Sequence, residues 1–574
     1  MLYKMVWQSY KSASYLYFND DNLIKSKEGV QQGDPLGPFL FLLAIMDLTK
    51  RCESEINLWY LDDGTIAGPP ETVYRDLNRI LASADTLGLS VNPKKCELFT
   101  VTRTCEQQGD NAIPEPREST KSVVEKIKRD CPRIKTPERK ELLLLGAPIL
   151  EEEIDGVLLE KLEDLKRMVE RLSMIDAHDA LFLLKNCFAI PKLTYFLRCA
   201  PTFKNTATLQ LYDQEMRNSL QKILNVELKE EAFNQSSLPV KQGGLGVRMA
   251  TDIALPAFLS SGYGSESTSR TLLPDYINTT DYQELTDARD LWSQMLNNNA
   301  WQPTNFTLQA LWDAPLYVKK YQDLLNSATN PTEKARLWAV GAEQASAWLN
   351  AVPATSLGLK LDNMSLRIVC GLRLGSDLCQ PYKCICGGLI DSSGRHGLSC
   401  KNAKGTHSRH QHVNDLLKRA LGSAQVTAIL EPAGLSRSDG KRPDGLTLFP
   451  WAQGKCVVWD FTCRDTLCQS NISVTSKGAG KVAEKAEDTK LSHYQELTTD
   501  YIVKPVAVET LGSWGPLGLK FVKDIGQRIE DNSGEKRSRS FLFQAINMAV
   551  QRGNAASIRG SIPNAKSLSE IFYL

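Results

Sequence analysis

The chain has 574 residues, of which 42% are hydrophobic and 24% charged, with a formal net charge of +1. That length exceeds a single hydrophobic core and implies roughly three or four domains, while so small a net charge selects no class of partner. The N-terminus is polar and aromatic, no apolar stretch approaches the ~18 residues of a membrane span, and the 14 cysteines are scattered, which argues against a disulfide framework and for a reducing compartment, nuclear or cytoplasmic and not secreted.

Residues 1 to 150 alternate strand-like and helical patterns. Ser14 to Lys25 reads as a hairpin, and Asp34 reads as a helix N-cap with Pro35 at the first helical position, ahead of the apolar run Phe39 to Met46. Trp59-Tyr60-Leu61-Asp62-Asp63-Gly64 places two carboxylates in the turn of a hairpin. Such carboxylates hold hard divalent cations, and a pair of cations roughly 4 Å apart is what joining a nucleoside triphosphate to a 3′-hydroxyl requires. The bland alternative is that Asp63-Gly64 is only a favoured two-residue turn. Nine basic residues between Arg117 and Lys140 form either a solvated face or a phosphate-facing surface.

Taken in order, Gln31-Gln32-Gly33-Asp34-Pro35, Tyr60-Leu61-Asp62-Asp63, Gly88-Leu89-Ser90-Val91-Asn92-Pro93-Lys94-Lys95 and Leu143 to Ile149 resemble the successive motifs of a reverse transcriptase palm. The resemblance implies that Asp62 and Asp63 bind Mg²⁺, that Gln32 and Gly33 line the nucleotide pocket, and that Lys94 or Lys95 lies near the phosphates. The family's first metal-binding Asp belongs to a strand upstream of the Gln-Gln-Gly-Asp-Pro segment, and Met1 begins after it. An incomplete polymerase is therefore expected.

From Glu151 to Ser261 the pattern is helical, clearest at Leu158 to Leu172 and Ala180 to Phe188, with Leu238 to Gly246 as a glycine-rich turn. A Gly/Ser/Thr-rich break is expected at Ser260 to Thr271. A second helical segment follows, marked by Leu291 to Leu296 and Lys334 to Leu349. Cys384, Cys386, His396 and Cys400 then form a donor set suited to tetrahedral Zn²⁺, with Cys379 as a substitute ligand. Reduced cysteines packed in a small core are the alternative.

Gly445 to Phe449 and Cys456 to Trp459 read as strands joined by the turn Pro450 to Gly454. Folding that hairpin about Gln453 places Asp444 opposite Asp460, and two adjacent acids repel unless a cation sits between them. Exposed acids on a plain hairpin are the alternative. Val506 to Thr510 reads as a buried strand capping the sheet, and Glu431 before Pro432 has either a metal or base role or that of a helix-end charge.

The Pro443-Asp444 and Asp460 pair resembles the PD-(D/E)XK restriction-like nucleases. Their usual Lys position holds Thr462 here. In the variant carried by non-LTR retrotransposons the Lys comes from a following helix, and Lys490 with Tyr494, spaced i, i+4, matches it. Arg409-His410 with Asn414 resembles a short motif of the same enzymes.

Most of the chain resembles the C-terminal two-thirds of the reverse transcriptase/endonuclease polyprotein of a non-LTR retrotransposon of the restriction-like-endonuclease class, so an N-terminally truncated member is expected. The implied fold class is multidomain α+β: a partial palm over 1–150, a helical thumb-like region over 151–261, a helical linker over 272–378, a Cys/His zinc knuckle over 379–412, an α/β PD-(D/E)XK-like nuclease over 413–520, and a C-terminal helical segment over 521–574. The implied activity is target-primed reverse transcription, with a DNA target and the element RNA as partners, no membrane, Mg²⁺ or Mn²⁺ at Asp62, Asp63, Asp444 and Asp460, and Zn²⁺ in the knuckle. Lys490 and Tyr494 complete the catalytic set. A nuclease or nucleic-acid-binding protein with an inactive palm, or an unselected relic, are the competing readings.

Overall fold

A computed structural model describes residues 2–18, 22–31, 33–101, 117–274, 282–296, 302–403, 405–435 and 442–563. Gln32, one of the expected pocket residues, lies outside the described residues. The chain divides into two compact units, Met1–Leu150 with Ser265–Tyr282, and Glu151–Gly264 with Gln283–Leu574.

The first unit is built from hairpins and amphipathic helices. Strands β1 (Ser14–Phe18) and β2 (Asn22–Ser26) pair antiparallel, as expected, with Ser14 opposite Ser26. The next helix, Gly37–Lys50, begins later than the sequence suggests, with Leu36 as N-cap. Asp34 instead turns the chain into the helix: its carboxylate accepts from Leu36 N at 2.9 Å, and its carbonyl accepts from Gly37 N. Asx-turn geometry of this kind competes with N-capping for the same side chain.

Strands β3 (Ile56–Tyr60) and β4 (Asp63–Ala67) form the acid-bearing hairpin, with Tyr60 opposite Asp63. Leu61 and Asp62 make the turn and Asp63-Gly64 starts the second strand, so the Asp-Gly turn is shifted by one step from expectation. Leu61 has φ +58, a left-handed conformation that a bulky residue adopts only under strain. The helix Pro70–Thr86 is tied to the base of this hairpin by buried Asp76, whose carboxylate accepts from Glu53 N, Ser54 N and Ser54 Oγ, each at 2.7 Å. The basic run lies on and after the helix Glu118–Asp130. Strands β5 (Leu143–Leu144) and β6 (Ala147–Pro148) close through Leu145 and Gly146, both at positive φ, the signature of a tight two-residue turn.

The second unit is largely helical. Leu158, Leu162, Leu165, Val169 and Leu172 are buried along the helix Ile154–Leu172 at the three-and-four spacing of an amphipathic face. Their apolar cluster takes in residues as far along as Ile558 and includes Leu398, Leu467 and Leu511, so one core draws on most of this unit's length. The run Ala177–Cys199 is long and apolar enough to cross a membrane by length and composition, contrary to expectation. It is broken by a π-helical turn at Leu184–Phe188, and Leu184, Leu193 and Leu197 are fully buried in that shared core.

The expected break at Ser260 to Thr271 does not occur, because the helix Ala250–Leu272 runs through it. Small residues there serve packing: a Cβ on Gly262 would sit 2.6 Å from Leu285 Cδ1 on the helix Gln283–Leu296. The helix expected to reach Leu349 stops at Val340. Gly341 caps it, Gln344 turns left-handed at φ +62, and a short 3-10 turn covers Ala347–Asn350.

Beyond a small hairpin, β7 (Tyr382–Lys383) with β8 (Leu389–Ile390), lies a four-stranded sheet of order β12-β11-β10-β9. Its members are β9 (Ala428–Leu430), β10 (Gly445–Thr447), β11 (Val457–Arg464) and β12 (Ile502–Glu509). The edge pair β11 and β12 is parallel and the others antiparallel, so the helix Lys481–His493 between the two parallel strands is a crossover. Val457, Trp459 and Phe461 join an apolar layer with Val506, Val508 and the helices Gly405–Ser423, Pro516–Ser533 and Ser538–Arg559. Strand alternation directs Asp460 to the other face, where the crossover helix packs Ala483 and Ala486 against Ala507.

Candidate functional site

Gln453 and Gly454, both at positive φ, form the turn between β10 and β11, with Ala452 bridged to Lys455. That turn sets the register: Gly445 faces Trp459, and one step further Asp444 N donates to Trp459 O at 3.0 Å, which brings Asp444 alongside Asp460. β10 ends at Thr447, short of Phe449, and β11 runs on to Arg464, beyond the expected Trp459. Gly445 is required: the Trp459 ring lies over it, and a Cβ would come within 2.0 Å of the ring. The N-terminal hairpin repeats the device, with Trp59 across from Gly64 beside Asp63.

Asp460 is 4% exposed. Lys490 Nζ lies 2.6 Å from its Oδ1, and Tyr494 donates to its Oδ2 at 2.6 Å. Burial pushes the Asp460 carboxyl up, Asp444 adds to the effect, and Lys490 and Tyr494 oppose it. Tyr494 caps the end of the crossover helix and is not within it, yet its i, i+4 offset from Lys490 still brings both side chains to one carboxylate.

Asp444 is held from the other side. Phe461 N donates to its Oδ2 at 2.6 Å, and His410 Nε2 is 3.1 Å from the same oxygen and 3.2 Å from Phe461 O. Asn414 donates to His410 Nδ1 at 3.3 Å and accepts from Trp459 Nε1 at 3.1 Å. The hydrogen bond to Asp444 holds the His410 imidazole above its ordinary pKa. In the sequence His410 and Asn414 stand out only as a motif; the contact of His410 with Asp444 bridges 34 positions and carries no local signal. Glu431 Oε2 is paired with Arg442, while its main-chain N–H donates to Asp444 O at 2.8 Å. Its backbone thus joins the site's frame and its carboxylate is engaged elsewhere.

Cys384, Cys386, His396 and Cys400 converge, with their ligand atoms all within 4.8 Å of one another. Cys384 Sγ and Cys400 Sγ are 3.6 Å apart, and Cys386 Sγ is 3.1 Å from His396 Nε2. A tetrahedral zinc thiolate centre spans sulfurs about 3.8 Å apart, so the donor set fits that ion. The one-residue gap between the first two cysteines is accommodated by a tight turn in which Gly387 takes φ +88 and Gly387 N donates to Cys384 O. The Gly388 main chain and His396 draw the Cys386 thiol down to about 6, while burial raises Cys384 to about 11. Cys379 points elsewhere, donating to the carbonyls of Asp391 and Ser392.

In the first unit Asp62 and Asp63 are exposed at the hairpin tip, Gly33 is exposed with φ +90, and Lys94 and Lys95 are exposed on a turn in which Lys94 N donates to Asn92 Oδ1. Among the described residues, the Cys/His set is the one group of three or more His, Cys, Asp or Glu spaced to hold an ion, and Asp62 and Asp63 have no third carboxylate with them.

Residues 3–147 match the family model for reverse transcriptase (RNA-dependent DNA polymerase), so the N-terminal part of the chain is similar to a reverse transcriptase domain. Over 244 residues the chain is 26% identical to the retrotransposable element SLACS 132 kDa protein of Trypanosoma brucei gambiense, an alignment covering 42% of this chain and 18% of that protein. The chain therefore spans a minor part of the curated relative it matches. A reverse transcriptase domain in a chain similar to a retrotransposon protein points to RNA-directed DNA polymerase origin.

Proposed function

We propose that this chain joins a reverse transcriptase palm to a metal-dependent DNA endonuclease of the restriction-like class, used for target-primed reverse transcription in a non-LTR retrotransposon. The observation that carries the reading is the buried Asp460, gripped by Lys490 and Tyr494 on a parallel crossover and flanked by Asp444 at the entry to the next strand. Mg²⁺ or Mn²⁺ held by Asp444 and Asp460 would supply a polarised water and charge compensation at a scissile phosphate. Lys490 is the cation placed to stabilise charge building on phosphorus. Tyr494 holds the second Asp460 oxygen, and Phe461 N with His410 holds Asp444, so both carboxylates are oriented before substrate arrives.

Cutting target DNA frees a 3′-hydroxyl, the primer for copying the element RNA, which makes nuclear DNA and that RNA the partners. In the palm, Asp62 and Asp63 are the Mg²⁺ ligands, with Gln32, Gly33, Lys94 and Lys95 around the nucleotide. Zn²⁺ at Cys384, Cys386, His396 and Cys400 braces the nuclease. A second reading, a nuclease with an inactive palm, is favoured by the lack of a third carboxylate beside Asp62 and Asp63 among the described residues.

The test is conversion of supercoiled plasmid to nicked circle by the full chain in Mg²⁺. Cuts that vanish with chelator and with Asp460→Asn support the endonuclease. Parental activity in Asp460→Asn rejects it.

A further inference from the structure

The crossover helix that carries Lys490 has no side-chain cap from its own flanks: Gly480 precedes it at φ +71. Its first-turn donors are met from a distance. Glu509, fully buried at the end of β12, accepts from Val482 N at 3.1 Å and Ala483 N at 3.3 Å through Oε1. The same helix returns the contact to its neighbour. Glu487, 1% exposed, accepts from Leu517 N at 3.0 Å and Gly518 N at 2.7 Å, at the start of the helix Pro516–Ser533.

Both carboxylates sit where a helix dipole favours negative charge, and the glycines around them leave the space they need. A Cβ on Gly515 would come within 2.2 Å of the Glu487 carboxyl carbon, one on Gly518 within 3.0 Å of Glu487 Oε1, and one on Gly480 within 2.6 Å of Trp514 O. Ala483, Ala486 and Ala507 let the helix lie close on β12. One acid thus holds the start of the helix to the strand beside β11. The other, three residues before Lys490, fixes its middle.

We propose that Glu509 and Glu487 are positioning residues that set the placement of Lys490 against Asp460, an inference that rests on the endonuclease reading of that site. Neither touches Asp444 or Asp460; each acts through the helix.

The experiment compares Glu509→Ala, Glu509→Gln, Glu487→Ala and Glu487→Gln in the full chain, by nicking kinetics, DNA binding and hydrogen exchange over residues 481–493. Displacing a catalytic group by about 1 Å costs ~10²-fold in rate, so each Ala variant is expected to lose that much kcat with DNA affinity unchanged and faster exchange in the helix. The Gln variants keep an acceptor oxygen and are expected to recover most of the rate, which mere loss of folding would not produce. Parental kcat in a soluble Ala variant overturns the proposal, as does equal loss in Ala and Gln variants. If an Ala variant does not fold, its Gln partner decides: parental-like exchange and kcat support the acceptor role, and a full loss rejects it. If the parental chain itself does not nick, the endonuclease reading falls, and unchanged exchange over 481–493 in Glu509→Ala would separately overturn the clamp.

Discussion

Lys490 and Asp460 meet at 2.6 Å across a strand-to-helix contact, 30 positions apart in sequence. Breaking a buried ion pair from either side leaves a charge uncompensated, yet the proposed endonuclease gives the two partners different roles.

Lys490→Ala is expected to lower nicking by ~10²–10³-fold, the loss seen when one preorganised donor to a developing charge is removed. Mg²⁺ binding should persist, because Asp444 and Asp460 both remain. Calorimetric titration of Mg²⁺ beside single-turnover nicking separates the two effects, and a variant that nicks like the parent would remove Lys490 from the chemistry.

For the Cys/His centre, about one zinc per chain is expected, lost in Cys386→Ser and Cys400→Ser. Cys379→Ser should keep its zinc, since that thiol faces the Asp391 and Ser392 carbonyls. Elemental analysis of chelator-free protein checks both; a metal-free parent, or zinc lost with Cys379, would contradict the assignment.

Gly445→Ala forces a Cβ to within 2.0 Å of the Trp459 ring. Overpacking of this kind costs about 1–3 kcal/mol, and the displaced Trp459 would also disturb its hydrogen bond to Asn414 and, through Asn414, the His410 contact with Asp444. Denaturant melts should show the loss of stability, with nicking falling further than stability alone accounts for. Gly64→Ala, against Trp59 at 2.7 Å, should destabilise its own hairpin in the same way.

On a primed RNA template, the chain is expected to extend weakly or not at all, since no third carboxylate stands with Asp62 and Asp63 among the described residues and a metal pair needs more than two. Asp62→Ala should leave stability unchanged because the residue is exposed. Robust extension abolished by that substitution would show that the polymerase site is complete.

Asp213 supplies a pH signature. It caps the helix Ala250–Leu272, accepting from Ala250 N at 2.5 Å and Thr251 N at 3.2 Å, and burial lifts its carboxyl to about 6. Below its unfolded value near 3.8 the group is protonated in both states. As pH rises from there to about 6 the unfolded chain releases its proton first, so stability falls across that window by about 3 kcal/mol and is level above it. Asp213→Asn should flatten this slope in urea melts taken between pH 4 and 6; an unchanged slope would mean that Asp213 titrates normally.

What local sequence determined is what local chemistry controls. Gln453-Gly454 makes a two-residue turn, the turn sets the register, and the register puts Asp444 beside Asp460; Gly146 and the alternation of β11 work the same way. A closely spaced set of Cys and His around a glycine turn likewise brought Cys384, Cys386, His396 and Cys400 to one point. Tertiary structure decided the rest. Ser260 to Thr271 stays helical because close approach of Leu285 to Gly262 outweighs weak helix propensity. Asp34 gave its carboxylate to an Asx turn, and Asp444 gained His410 from a helix 34 positions away. The helix bearing Lys490 is capped by Glu509, 27 positions beyond its first bonded N–H. Such partners are chosen by three-dimensional proximity of buried polar groups that must be satisfied, and no window of neighbouring residues contains that information.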